Sequence, residues 1–295
     1  MKFNFTRILY TSTLSIPCFF LIILLSACSG SAHQLAKVTD SDISQIKNEA
    51  SSKKTVFKTF NRSNSANRAL VVRTSNRLLN HARPVCEHTG YNSCFFQVLY
   101  DAGDTINAYA SENYKIVIYR GLLEYLETED EVAAVIAHEM GHHLANHNQE
   151  KLQNAQVGAA IAGILTAAVI GAANQNNPYY GSYQQQRDQR SVEEMAAVGA
   201  ALGALSYSVE EEREADLLAQ YLLVRSGYNL KKAERVLWLL MTINSTGGAS
   251  SDRAAFGDSH PAGPERIAAW RIVREEIKSN KSRLPAKAQE TKKAN

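Results

Sequence analysis

The chain has no strong excess of either charge. Among its 295 residues, 32 Lys and Arg stand against 29 Asp and Glu, a formal net charge of +3. So near-neutral a balance gives no electrostatic footprint for nucleic acid, and no nucleic-acid partner is expected. Long apolar runs are also scarce. Apart from residues 16–25 and a weakly apolar stretch at 157–173, none approaches the roughly 20 residues of a membrane-spanning helix, which argues against an integral protein with several spans. No internal repeat is visible, and there are only four cysteines.

What is present begins with an address. Residues 1–10 carry Lys2 and Arg7 and no acid, and a mostly apolar run follows. This reads as a secretory signal over residues 1–27. It ends in Leu25-Ser26-Ala27-Cys28, which resembles a bacterial lipobox. The resemblance implies cleavage before Cys28 and lipidation of its thiol; an uncleaved anchor helix is the competing reading. Ser29 in place of Asp implies, by the same resemblance, the outer membrane, with a lipid-anchored domain facing the periplasm. Loss of Lys2 and Arg7 would lower the net charge to +1, leaving the lipid as the membrane contact.

Cys18 falls in the signal, so Cys86 and Cys94 remain. They flank a short, turn-rich Glu-His-Thr-Gly-Tyr-Asn-Ser segment, and an oxidising compartment favours a disulfide across it. The alternatives are reduced thiols on adjacent strands, or a metal site using Cys86 and His88.

Residues 28–62 are rich in Ser, Lys, Asp and Asn and read as a lipidated N-terminus and flexible tether. A domain is expected over 63–277, with a disordered basic tail over 278–295. Helical spacing appears at 65–82, β-branched and aromatic runs at 95–100 and 114–120 read as strands, and the remainder looks helical. The fold class is α+β, predominantly α-helical. Two apolar, small-residue segments, 157–173 and 195–205, are separated by a Tyr- and Gln-rich stretch that reads as a loop. They are expected to pair closely, as a lid or against a membrane surface; a re-entrant membrane hairpin is the other reading.

The chemistry centres on residues 134–147, which hold four of the eight histidines. Thr128 with Glu131 forms a capping-box pattern, so a helix starts there. Along it His138 and His142 are one turn apart, giving His-Glu-x-x-His with Glu139 beside the first ligand. Two such imidazoles can share one Zn²⁺, and Glu139 can act as general base. At about 100° per residue, His143 and His147 point elsewhere while the helix continues. A third ligand must come from another element. Ser208 and Glu211 cap a second helix that carries Glu210, Glu211, Glu212 and Glu214. Glu210 and Glu211 suit the positive helix end. Glu212 shares a face with Asp216, so one carboxylate could hold metal while the other orients a histidine.

Together these residues resemble the HtpX/Oma-like, CAAX-prenyl-protease-like zinc metallopeptidases of the gluzincin type. The resemblance rests on His138-Glu139-Met140-Gly141-His142, Glu212-Arg213-Glu214-Ala215-Asp216, a segment at 106–126, and Ser-His-Pro…Arg-Ile at 259–267. It implies a zincin-like domain with a small β-sheet and one zinc held by His138, His142 and Glu212, with Asp216 supporting a ligand. It also implies that an edge strand at Asn107, Ala108 and Tyr109 binds substrate. His260 would lie close to the zinc, either stabilising the oxyanion or occupying the fourth position in a latent state; a turn histidine before Pro261 is the plainer reading. Arg266 would pair with substrate or with an acid near the site. The chain departs from the family at Ser111-Glu112-Asn113-Tyr114, where a Pro/Gly-rich turn is usual.

The expected function is a zinc-dependent envelope endopeptidase that cleaves misfolded or stalled outer-membrane proteins. The outer-membrane assembly machinery is a further expected partner. The alternative is a latent protease that acts mainly as a periplasmic chaperone for such proteins.

Overall fold

The computed structural model describes residues 31–52, 57–91, 94–111, 113–177, 179–203, 207–245, 259–279 and 283–288. The signal, Cys28 with its lipobox, and residues 289–295 lie outside the described residues.

In chain order the elements are α1 (Asp40–Ser52), α2 (Asn64–Thr89), β1 (Gln97–Asp101), β2 (Ala108–Ser111), β3 (Lys115–Tyr119), α3 (Arg120–Leu123), α4 (Glu129–Leu144), α5 (His147–Asn174), α6 (Ser182–Gly203), α7 (Val209–Arg225), α8 (Leu230–Ala233), α9 (Arg235–Ser245) and α10 (Pro264–Ser279). The expected α+β class with a small sheet is what is found. The sheet order is β1-β3-β2, with β1 parallel and β2 antiparallel to β3.

Helix α4 is the axis of the core. From Glu131 to Leu144 every residue is buried, with α7, α2, α8, α9 and the sheet packed around it. Its start follows the chemistry read from sequence: Thr128 Oγ1 accepts from the Glu131 backbone N–H. The reciprocal arm shifts by one residue, because Glu131 Oε2 accepts from the Glu127 N–H at 2.7 Å. Helix α7 has the complete box between Ser208 and Glu211 and stops at Gly227, whose φ of 73° is left-handed.

The disulfide expected between Cys86 and Cys94 is present. Four expectations change. Helix α2, expected to end at 82, runs on through Pro84 to Thr89, so Cys86 lies in its last turn. Part of the supposed tether, residues 31–52, is structured: Thr39 and Asp42 cap α1, whose Ile46 is buried while Glu49 pairs with Arg271 at 2.8 Å. The supposed basic tail is ordered in part. Residues 278 and 279 end α10, and residues 286–288 pair with 32–34 through Gln34 N–H to Ala286 O and Ala288 N–H to Ala32 O. Finally, residues 182–190, read as loop, are the first turns of α6.

Helices α5 and α6 form the expected close hairpin. Gly163 faces Ala196, and a Cβ on Gly199 would lie 2.2 Å from the carbonyl oxygen of Gly158. Small residues therefore let the backbones touch. The outer faces expose Val157, Ile164, Leu165, Val169 and Met195, and α5 is long and apolar enough to cross a membrane.

Candidate active site

Helices α4 and α7 cross where Gly141 meets Ala215, and this contact brings the two halves of the motif together. His138 Nε2 lies 3.1 Å from His142 Nε2 and 3.3 Å from Glu212 Oε2, while His142 Nε2 is 3.4 Å from Glu212 Oε1. The segment before α10 adds His260, with Nδ1 3.0 Å from Glu212 Oε1 and 3.3 Å from His138 Nε2. One donor atom from each of these four buried residues lies within 4.8 Å of the others.

The donor set fits zinc. Imidazole nitrogens and a carboxylate oxygen are its usual ligands, and they converge here from facing helices. Both Glu139 oxygens are buried without a hydrogen bond among the described residues, and His260 Nε2 is 3.4 Å from Oε1. Glu212 and Asp216 pair with one guanidinium, that of Arg266, while Glu139 lies against His260, so three carboxylates gather at a centre that a dication would suit.

Burial alone would lower the His138 pKa, but Glu212 and Asp216 together push it up to about 9. His142 is held well below the usual histidine value by burial, with His138 and His260 adding to the effect. Burial works to raise Glu212, yet Arg266, His260 and His138 keep its carboxyl well below the ordinary range. Asp216 is lowered against its own burial by Arg266 and then His138. Deprotonated Glu212 and neutral His142 are in the forms in which such groups bind metal, whereas His138, raised as it is, would give up a proton on binding.

Asp216 Oδ1 sits 2.9 Å from His138 Nδ1, the nitrogen facing away from the other donors. Arg266 is 1% exposed and is consumed inside the protein. Its guanidinium donates twice to Asp216, at 2.8 and 2.9 Å, contacts Glu212 and donates to Pro261 O. Of its two expected roles, pairing with a nearby acid is the one the structure shows.

Strand β2 is one of the two edges of the sheet and packs beside α4. Tyr119 N–H donates to Asn107 O, so the alternation of an antiparallel ladder turns the backbones of Asn107 and Tyr109 toward β3 and those of Ala108 and Ala110 away from it; Ala108 is buried and Ala110 half-buried. The turn from β2 to β3 is made without Pro or Gly by left-handed Asn113 and Tyr114. A cleft of about 350 Å³ beside it is lined by Tyr114, His143 and Asn148 but by none of the four clustered residues.

Four residues near the centre escaped the sequence reading of their roles. His147 was expected to point away from His142. Helix α4 instead ends at Leu144, Asn146 turns left-handed at φ 65°, and His147 Nδ1 returns to 3.0 Å from His142 Nδ1. Glu214 and His33 stand behind it. Tyr207 stacks on His142 at 3.7 Å and donates to Asn148 Oδ1 at 2.6 Å. The surplus histidines of the motif were the one available signal. His143 has a different task, contacting Lys115 O at 3.3 Å and packing on Phe96 and Tyr114.

Two imidazoles and a carboxylate from facing helices, with a glutamate next to the first histidine, define a zinc metallopeptidase domain of gluzincin type. Residues 76–273 match the family model of peptidase family M48, and the chain belongs to that family, whose cofactor is zinc. It is similar to mitochondrial metalloendopeptidase OMA1 of Schizosaccharomyces pombe, 26% identical over 55% of this chain and 42% of that protein. It is also similar to two Escherichia coli K12 proteins. With the beta-barrel assembly-enhancing protease it is 28% identical, over 52% of this chain and 28% of the relative. With metalloprotease LoiP it is 29% identical, over 55% and 56%. The similarity thus spans between about a quarter and somewhat over half the length of these relatives.

Proposed function

We propose that the chain is a zinc-dependent endopeptidase of the bacterial envelope, anchored to the outer membrane through Cys28, that cleaves unfolded or misassembled outer-membrane proteins. The observation that carries the peptidase reading is Glu139, a buried carboxylate beside the donor cluster with no hydrogen bond among the described residues. The envelope reading is supported by the lipobox-like Leu25-Ser26-Ala27-Cys28 and by a relative named for enhancing beta-barrel assembly.

His138, His142 and Glu212 would hold zinc, which would supply Lewis-acid activation at this centre. Glu139 is placed to take a proton from the attacking water and return it to the leaving amine. Asp216 fixes the His138 ring, and Arg266 holds Asp216 and Glu212 in place. The outer edge of β2, where Ala110 keeps partial exposure, accepts an extended peptide by strand addition, which selects unfolded chains.

A second reading is favoured by His260. It lies within the donor cluster, and His138, Glu139, His142, Glu212 and His260 are each at most 6% exposed. This is a closed centre, consistent with a latent protease whose principal work is chaperone-like binding. The test is degradation of an unfolded outer-membrane β-barrel protein by the wild type, Glu139→Gln and His260→Ala, with fractionation of Cys28→Ala. Cleavage by the wild type alone supports the peptidase. Assisted folding that survives Glu139→Gln, with cleavage gained in His260→Ala, supports latency. A Cys28→Ala chain that still fractionates with the outer membrane removes the anchor.

A further inference from the structure

The two metal-facing histidines differ in what stands behind them. His138 presents Nε2 to the cluster and Nδ1 to Asp216. His142 also presents Nε2 to the cluster, but among the described residues no carboxylate reaches its Nδ1. The group 3.0 Å away is His147 Nδ1. From His147 the contacts continue: Nε2 is 3.3 Å from Glu214 Oε2, and Glu214 Oε1 is 2.6 Å from His33 Nδ1 and 3.0 Å from the His33 backbone N–H. All four side chains are buried, at 4% exposure or less.

Only one arrangement of protons satisfies this row. A histidine that binds metal through Nε2 keeps its proton on Nδ1. His142 Nδ1–H must therefore donate to His147 Nδ1, which leaves the His147 proton on Nε2 to donate to Glu214. The Glu214 carboxylate, acceptor only, receives that bond and both donors of His33. We infer that His147, Glu214 and His33 are positioning residues that orient His142 for zinc, so that the N-terminal segment around His33 is a working part of the metal centre. A ligand histidine whose second nitrogen is held to a carboxylate is fixed in ring orientation and tautomer. Here the connection runs through a second imidazole and ends on a segment 181 residues away in sequence from Glu214.

The segment is anchored where this role needs it. Ser31 Oγ donates to His33 O, Gln34 N–H donates to Ala286 O, and Arg213, on the same turn as Glu214, donates to Ala36 O. Residues 31–38 thus have a buried polar attachment beside the site, in a stretch whose composition reads as a linker.

The inference rests on the zinc site proposed above, and its test separates the two. Zinc affinity would be measured by chelator competition on the full chain in detergent for the wild type, His147→Ala, His147→Gln, Glu214→Gln and His33→Ala. The visible spectrum of the cobalt-substituted proteins and the melting of the zinc-free proteins would be recorded alongside. His147→Ala and Glu214→Gln should weaken zinc by roughly 10–100-fold and shift the cobalt spectrum. His147→Gln, which can both accept and donate, should recover part of the loss. His33→Ala, at the outer end, should weaken zinc by less than Glu214→Gln, and it decides the matter if the inner variants do not fold. Unchanged zinc affinity and cobalt spectrum, with only lowered melting, would overturn the relay and leave the peptidase reading intact. A wild-type chain that binds no zinc overturns both.

Discussion

Gly141 and Ala215 are in contact where the two motif helices cross: a Cβ on Gly141 would lie 2.6 Å from the carbonyl oxygen of Ala215 and 2.9 Å from its Cα. The glycine inside His-Glu-Met-Gly-His is therefore a packing requirement. It sets the distance between the histidine pair on α4 and Glu212 on α7.

Gly141→Ala should push these helices apart, since backbone on both sides cannot yield as a side-chain tip would. Overpacking of this kind costs about 1–3 kcal/mol. Urea unfolding should show that loss, and zinc affinity should fall with it. An unfolding midpoint equal to wild type would mean that the helices do not cross there.

Arg266→Met tests the charge balance of the centre. The guanidinium is buried between Asp216 and Glu212, and removing it leaves two buried carboxylates without their main cation. Breaking such a pair costs roughly 3–5 kcal/mol. The loss should be larger in the zinc-free protein than in the loaded one, because bound zinc replaces part of the missing positive charge near Glu212. Unfolding with and without zinc would show the difference.

Acid should uncouple Glu214. Its burial works to raise the pKa, but hydrogen bonds from His147 and His33 bring it from 4.5 to about 2. A carboxyl lowered on folding contributes its full stability above the unfolded value and loses it as pH falls through the folded one. The window is therefore from about pH 4.5 down to about 2, and the contribution is on the order of 3 kcal/mol. Wild-type stability should fall more steeply across that window than that of Glu214→Gln, as urea titrations at successive pH values would show.

The helices that carry the motif were legible because their signals are local. Caps at Thr128 and Ser208, the Gly227 stop and the one-turn histidine spacing each lie within a few residues. What was missed depends on distant partners or on a break with no Gly or Pro to announce it. Helix α4 stops because Asn146 turns left-handed, and that single residue reverses the direction assigned to His147. Residues 31–52 have the composition of a linker, yet Ile46 and His33 find buried sites on α10 and α7 that no neighbouring sequence encodes. Arg266 was placed near the centre, but its exhaustion by Asp216, Glu212 and Pro261 shows only in three dimensions.

The most direct test is to measure zinc content and cleavage of unfolded casein side by side in the wild-type chain and Glu139→Gln. One zinc in each, with cleavage by the wild type alone and a loss of about 10²-fold or more in the variant, is the expected result for a general base that holds no metal. Cleavage by Glu139→Gln at the wild-type rate, or a wild-type chain without zinc, would contradict the assignment of this centre as a zinc peptidase site.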